Sequence, residues 1–165
     1  MKIIDISNPT IPVEIGQFDD VGTYVSGVCI SGLYAYVTGG INGLEIIDIS
    51  DPTTPVKVGQ YDYGIYGGGV YIEESYAYVA GGSEGLVIID ISNQTNPTKV
   101  GQFYDGDNAR NLQVLGSYVY MADYRGGLEV IDISDLTTPS KCPISTGMVG
   151  LEISIIFKPF SFFPK

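Results

Sequence analysis

Closely spaced carboxylates are the residues of this chain with the clearest chemical potential. Asp105 and Asp107 are separated by one glycine and are followed by Asn108. Two carboxyl groups can act as acid and base in glycoside hydrolysis, and clustered Asp residues with backbone carbonyls can bind Ca²⁺. The segment lacks a complete calcium-loop signature, and nothing in the sequence brings two carboxylates to a catalytic separation. The sequence therefore predicts no catalytic residue, no metal site and no cofactor, with calcium kept as an alternative.

The absence of histidine restricts the chemistry further. Histidine is the commonest general base and the commonest zinc ligand, so a His-dependent triad is excluded within one chain. The 8 basic and 19 acidic residues give a net charge of −11, whereas a nucleic-acid partner requires a basic face. No apolar run approaches the roughly 20 residues of a membrane span, and the N-terminus does not resemble a signal peptide. We therefore expect neither a nucleic-acid partner nor a membrane span.

A sequence repeat determines where these residues stand. Ile-Asp-Ile-Ser occurs four times, and its aspartates are spaced by 43, 42 and 42 residues. The same period recurs in a proline seven residues later, in Gly-Gln, in Gly-Leu and in a Tyr-x-Tyr pair. This agreement predicts a single repeat domain over residues 1–165. Its units are 1–18 (partial), 19–61, 62–103, 104–146 and 147–165 (partial and divergent). Cys29 and Cys142 occupy different places in the unit, so no disulfide framework is expected.

Each unit is predicted to form four short strands, A to D, separated by turn residues. Strand C, as in Leu86-Val87-Ile88-Ile89-Asp90-Ile91, is almost entirely apolar, which indicates burial on both faces. Neighbouring blades of a β-propeller cover a middle strand in this way, and a 42-residue unit of four strands matches propeller spacing. The predicted fold is therefore an all-β propeller of about four four-stranded blades. A β-solenoid is the main alternative.

The repeated motifs also resemble a known family. The pattern Gly-Leu-x-Ile-Ile-Asp-Ile-Ser-(Asp/Asn)-x-Thr-x-Pro is similar to the LVIVD repeat, and the resemblance covers roughly residues 1–142. It implies a propeller, often in cell-surface or secreted proteins, with no established enzymatic activity. It supplies no catalytic residues that could be transferred to this chain. An extracellular or cell-surface location is thus an implication of the resemblance alone.

The two ends of the chain depart from the pattern. The first unit begins inside strand C, and the last is rich in Phe, with Phe160 and Phe162 one period beyond Tyr118 and Tyr120. Residues 149–156 and 160–163 could therefore supply strands A and B of a fourth blade, whose strands C and D come from residues 2–18. Such closure would remove exposed strand edges and favour a monomer, whereas an open arc would favour an edge-to-edge dimer. A fragment of a larger ring is the alternative.

Most repeated residues are predicted to be structural. The aspartate of Ile-Asp-Ile-Ser is expected to be buried and to accept backbone N–H groups that fix a turn. The Asp/Asn-x-Thr-x-Pro segment is expected to be the C–D turn. The Gly-Gly pairs are expected to be B–C turns with positive φ, because no helix follows to form a phosphate site. The Tyr-x-Tyr pairs are expected to pack, with their hydroxyls reaching solvent or backbone.

Residues that vary between units are the best candidates for function. Antiparallel order places the D–A and B–C loops at one end of every blade, and loops on a rigid scaffold commonly carry binding residues. The candidate binding residues on this face are Asp19, Asp20, Tyr24, Asp62, Tyr66, Glu84, Asp105, Asp107, Asn108, Arg110, Asp123 and Arg125. The predicted function is non-catalytic binding of a protein or glycan through this acidic, Tyr-rich face. The alternatives are a carboxylate-dependent hydrolase or lyase on the same face and a structural fragment of a larger surface protein.

Overall fold

A computed structural model of the chain describes residues 1–19, 24–64, 66–104 and 106–142. Within these residues the secondary structure is entirely β, with fourteen strands and no helix. It follows that no described helix is available to cross a membrane. The strands are β1 (Lys2–Asp5), β2 (Val13–Gln17), β3 (Gly27–Ser31), β4 (Tyr34–Thr38), β5 (Leu44–Asp48), β6 (Val56–Tyr61), β7 (Val70–Glu73), β8 (Tyr76–Ala80), β9 (Leu86–Asp90), β10 (Thr98–Phe103), β11 (Ala109–Leu115), β12 (Tyr118–Asp123), β13 (Gly127–Asp132) and β14 (Ser140–Lys141).

The strands form four antiparallel sheets that follow the repeat. Sheet 1 contains β1 and β2; sheets 2, 3 and 4 contain β3–β6, β7–β10 and β11–β14, each in chain order. These three meanders are the predicted A-B-C-D blades, and the all-β propeller architecture is confirmed. Strands B and D of sheets 2 and 3 have the bounds that the repeat predicts, 34–38 and 76–80 for strand B and 56–61 and 98–103 for strand D. Strand C was predicted to end at Ile49, Ile91 and Ile133, and in every complete sheet it ends one residue earlier, at the aspartate that begins the turn.

The hydrophobic core lies between neighbouring sheets. Leu86 and Ile88 of sheet 3 pack in one cluster with Met121 and Ile131 of sheet 4. An equivalent cluster joins Leu44, Ile46 and Tyr36 of sheet 2 to residues of sheet 3 that include Val79 and Ile89. Because one face of strand C covers the sheet before it and the other covers the sheet after it, the predicted burial on both faces is confirmed for β5 and β9.

The Gly-Gln motif is explained by a backbone contact between sheets. A Cβ atom on Gly59 would lie 1.8 Å from the carbonyl oxygen of Gln94, in the C–D turn of the next sheet. Gly16 would meet the Pro52 carbonyl at 1.9 Å, and Gly101 would meet the Leu136 carbonyl at the same distance. Only glycine permits this approach, so the repeated glycine sets how closely successive sheets pack.

The repeated aspartates fix turns, but their predicted burial was wrong. Asp5, Asp48, Asp90 and Asp132 each accept the backbone N–H of the serine two residues later, at 2.8 Å. Asp5 is exposed and the other three are half-buried. The carboxylate lies at the end of strand C, where the chain leaves the sheet, so its oxygens remain near water. The Asp/Asn-x-Thr-x-Pro turns are closed in the same way, by Asn8, Asp51, Asn93 and Asp135.

These hydrogen bonds predict a stability that falls in acid. The serine N–H groups lower the pKa of Asp5, Asp48, Asp90 and Asp132 below the ordinary value of 3.8. A carboxyl whose pKa is depressed by folding contributes stability above its unfolded-state pKa and loses it as pH falls through the folded value. We expect the urea midpoint to decrease from about pH 5 downwards. Replacing all four aspartates by asparagine should flatten that decrease; an unchanged pH profile would contradict the assignment.

Two ion pairs, each between a buried glutamate and a partly exposed lysine, were not predicted from the sequence. Glu45 on strand C is almost fully buried, and its carboxylate contacts the Lys57 ammonium at 3.1 Å and the Asn42 amide at 3.2 Å. Glu129 and Lys141 form the equivalent pair in sheet 4. Sheet 3 has Val87 at the glutamate position, and Lys99 there contacts Gln102 instead. Sheet 1 carries the pair with its charges exchanged, as Lys2 and Glu14 at 2.6 Å.

The Tyr-x-Tyr residues of sheets 2 and 3 pack between sheets as predicted, whereas Tyr118 of sheet 4 is exposed. Tyr36 and Tyr78 are buried, and burial raises the pKa of both hydroxyls. The Gln94 side chain, which the sequence did not predict to lie near Tyr36, partly offsets the rise in the Tyr36 pKa. The Gly-Gly prediction holds for Gly40, Gly82 and Gly127, which all adopt positive φ.

Sheet 1 consists of strands C and D in the described residues. An apolar groove of about 490 Å³ lies beside it, lined by residues that include Met1, Ile3, Val28 and Ile30. In sheet 4 the residues equivalent to Val28 and Ile30 are Leu112 and Val114. They are buried because strands A and B of the preceding sheet cover them. The predicted closure by residues 147–165 falls outside the described residues. Cys29 and Cys142 are both free thiols.

Candidate binding face

The loops between sheets meet the B–C loops at one end of the molecule. The backbone N–H of Tyr66, in the loop before β7, donates to the Gly40 carbonyl at 3.0 Å. The N–H of Ala109, at the start of β11, likewise donates to the Gly82 carbonyl at 2.9 Å. Each bond joins the B–C loop of one sheet to the D–A segment of the next. The predicted grouping of D–A and B–C loops is therefore observed at both junctions.

The most connected part of this face is on sheet 4. The N–H of Asn108 donates to Asp123 at 2.8 Å and to Asp107 at 2.9 Å, and its carbonyl accepts the N–H of Tyr124 at 3.1 Å. The Arg110 guanidinium lies 5.1 Å from the centre of the Tyr124 ring, a cation–π geometry. The structure thus brings together four of the candidate residues, together with Tyr124, in one rigid group.

Asp123 differs from the exposed loop residue that the sequence suggested. It ends β12, is buried, and uses one carboxylate oxygen to hold the Asn108 backbone. Asp107 is half-buried and bonds the same N–H. These two carboxylates shape the loop, whereas the exposed Arg110 and Tyr124 form its outer surface.

At the junction of sheets 2 and 3, the candidate residues Asp62 and Glu84 both lie beside Gly64. Asp62 accepts the N–H of Gly64 at 2.9 Å, and a Cβ on Gly64 would lie 3.5 Å from the Glu84 side chain. Gln102, from the Gly-Gln motif, donates to the carbonyl of Glu84 at 2.9 Å and to its carboxylate at 3.0 Å. Nearby Tyr63 is buried, and desolvation raises the pKa of its hydroxyl. Glu84 is therefore held by its own sheet.

The remaining candidates are more dispersed. Asp19 accepts the Gln17 amide beside sheet 1, and Arg125 is exposed in the B–C loop of sheet 4. Tyr24 is exposed, and its carbonyl lies against Gly39 in the B–C loop of sheet 2. Asp20 and Asp105 lie outside the described residues.

Exposed tyrosine is the common feature of this face. Each complete sheet places at least one tyrosine there with most of its side chain in water, and the four are Tyr24, Tyr66, Tyr104 and Tyr124. Tyr66 adopts a positive φ of 65°, which is uncommon outside glycine. Large aromatic side chains left in solvent contrast with Tyr36 and Tyr78, which the fold buries.

A metal or catalytic site on this face would require carboxylates that converge on one point. Among the described residues, no three side chains of Asp, Glu or Cys converge on a common point that could hold an ion. The calcium alternative at residues 105–108 includes Asp105, which lies outside those residues. The described carboxylates Asp107 and Asp123 are occupied by the loop backbone.

The opposite end of the molecule carries a cleft that the sequence did not indicate. It has a volume of about 330 Å³ between sheets 2 and 3, and Tyr34, Tyr36, Glu74 and Gln94 are among its lining residues. Glu74 has a φ of 51° where the equivalent turns use Gly32 and Gly116. That departure from the repeat was the only available sequence signal.

Comparison with known proteins agrees with the repeat and the four sheets. No curated protein matches the chain. The LVIVD repeat model matches four successive segments, at residues 1–20, 22–63, 66–105 and 106–142, which together span most of the chain. Each matched segment contains one Ile-Asp-Ile-Ser turn and one sheet of the structure. The chain therefore belongs to the LVIVD repeat family.

Proposed function

We propose that the protein is a non-catalytic scaffold that binds a protein partner through the face formed by its D–A and B–C loops. The observation that carries the proposal is the group of four exposed tyrosines on that face. Tyrosine supplies a large, rigid contact area at low entropic cost and is enriched in binding surfaces. Supporting loops are held by backbone hydrogen bonds between sheets, so the surface is preorganised.

Charge favours a basic partner. The chain has a net charge of −11, and the face includes Asp62 and Asp19, which are both exposed. An exposed Arg110 over Tyr124 provides one local positive group that would orient the partner. A protein segment rich in Lys and Arg fits this combination by cation–π and charge contacts. A glycan, which would stack on the tyrosines without needing opposite charge, is the competing ligand, and a cell-surface location is part of the same proposal.

The proposal can be tested with a displayed library of Lys- and Arg-containing peptides and with a glycan array. We expect peptides to be selected, and we expect Tyr66→Ser combined with Tyr124→Ser to weaken their binding at least about tenfold. Leu33→Ser is the matched control, because Leu33 is exposed at the opposite end of sheet 2. Binding reduced equally by both variants, or selection of glycans alone, would contradict a protein-binding role for this face.

A further inference from the structure

Because the sheets repeat, the exposure of a residue in one sheet can be compared with that of the equivalent residues in the others. Leu128 on β13 is 55% exposed, whereas Leu44 and Leu86, at the same position of sheets 2 and 3, are 0% exposed. The difference arises because those two leucines are covered by the following sheet. Leu128, Val130 and Tyr118 define the front face of sheet 4, which has the residues of a sheet–sheet contact but is not covered by any sheet of the described residues.

Sheet 1, the first of the four sheets, has an isoleucine that is exposed where the other sheets bury it. Ile4 on β1 is 44% exposed, whereas its equivalents Ile47, Ile89 and Ile131 are all 0% exposed. Each of those three isoleucines packs in a cluster that includes residues of the preceding sheet or residues that flank its strands. By their positions in the repeat, Ile4 and Ile6, which is also exposed, define the rear face of sheet 1; Ile4 also borders the apolar groove beside that sheet.

The two uncovered faces are complementary within the repeat. Leu86 packs in one cluster with Ile131, and Leu44 packs in one cluster with Ile89. Each of these contacts joins a front-face leucine to a rear-face isoleucine of the next sheet. Leu128 and Ile4 are the pair that would make the same contact if a sheet 1 followed sheet 4.

We propose that a second copy of this chain supplies that contact, with the front face of sheet 4 of one copy covered by the rear face of sheet 1 of the other. Among the described residues, sheet 1 of the same chain does not cover Leu128, which is the observation on which the proposed contact with a second copy rests. Two such junctions close a head-to-tail pair, and two arrays of four sheets give eight, within the range of about four to eight blades found in propellers. This dimer joins sheet faces, not the strand edges considered from the sequence.

The charge of the chain makes the association dependent on salt. Two copies at −11 each repel one another, and the apolar faces must offset that repulsion. Raising the salt concentration screens the repulsion and leaves the apolar contact in place. We therefore expect dimerisation to strengthen between low and moderate salt, the opposite of an interface made by ion pairs.

Sedimentation equilibrium of the 165-residue chain tests the proposal. We expect a monomer–dimer equilibrium, with the dissociation constant raised at least about tenfold by Leu128→Asp or by Ile4→Asp. A 1:1 mixture of the two variants should regain association, because it contains one junction with both native faces. Ile41→Asp is the control, because Ile41 is an exposed isoleucine in the B–C loop of sheet 2. This substitution should leave the monomer–dimer equilibrium unchanged.

Circular dichroism and urea midpoints of the same variants complete the test. Folded, monomeric Leu128→Asp and Ile4→Asp that associate when mixed support the proposal. A wild-type chain that stays monomeric at all concentrations would overturn the dimer proposal. If Leu128→Asp lowers the urea midpoint of that monomer, the front face of sheet 4 is covered within one chain. Should either aspartate variant fail to fold, Leu128→Ser and Ile4→Ser replace them in the mixing experiment, where failure to associate would likewise overturn the proposal.

Discussion

Gly59→Ala should lower the free energy of unfolding by about 3 kcal/mol, because the added methyl group has no room. Its Cβ would lie 1.8 Å from the carbonyl oxygen of Gln94, which is backbone of the C–D turn of sheet 3, so no side-chain movement can relieve the clash. Relief requires sheets 2 and 3 to separate, which would loosen the packing of Leu44 against Ile89. Urea denaturation followed by circular dichroism would measure the loss.

Gly126→Ala is the matched control for this substitution. Gly126 does not adopt a positive φ, and a Cβ there would meet its nearest atoms at 3.4 Å, which is ordinary contact. Its effect should be within about 1 kcal/mol, since alanine also reduces the entropy of the unfolded chain. Similar midpoints for the two variants would show that the Gly-Gln glycine is not required for packing between sheets.

The second large effect is expected at the buried ion pair of sheet 2. Lys57→Ala removes the ammonium 3.1 Å from the Glu45 carboxylate and leaves that carboxylate in a buried position beside Asn42. Removing one partner of a buried pair is strongly destabilising, but Lys57 is partly exposed and its contribution is screened. We expect a loss of about 2 kcal/mol in unfolding free energy.

Glu45→Val should behave differently, because the equivalent residue of sheet 3 is Val87, which packs in the core. Replacing a buried charge by a hydrophobic residue of suitable volume is often neutral or stabilising, so the expected change is below about 1 kcal/mol. The double variant Glu45→Val/Lys57→Ala should be more stable than Lys57→Ala alone. If removing Lys57 were as costly after Glu45→Val as before it, the pair would not be the source of the loss.

The fold was largely predictable because the repeat places the same physical requirement at equivalent positions. The apolar run at residues 86–91 predicted a strand covered on both faces, and the turn residues fixed its neighbours. The burial of Asp90 was mispredicted because an apolar run says nothing about where the chain leaves the sheet. The pairing of Glu45 with Lys57 was not anticipated, since the two residues are diagonal neighbours only after strands C and D pair.

The candidate site was predictable in location but not in detail. Antiparallel order alone placed Asn108 and Asp123 at the same end of sheet 4. It could not show that Asp123 turns inward to hold the Asn108 backbone, because that depends on loop conformation. The exposure of Tyr66 and the burial of Tyr63, three residues apart in one loop, likewise depend on packing that no strand periodicity describes.

The exchanged charges of sheet 1 limit how such a chain can be rearranged. Lys2 faces Glu14, whereas Glu45 faces Lys57. A recombination that joined the first strand of one hairpin to the second strand of the other would set lysine against lysine or glutamate against glutamate. The strands of these two hairpins therefore remain compatible only when each hairpin is kept intact, whereas strand C of sheet 3, with Val87 at this position, is free of that constraint.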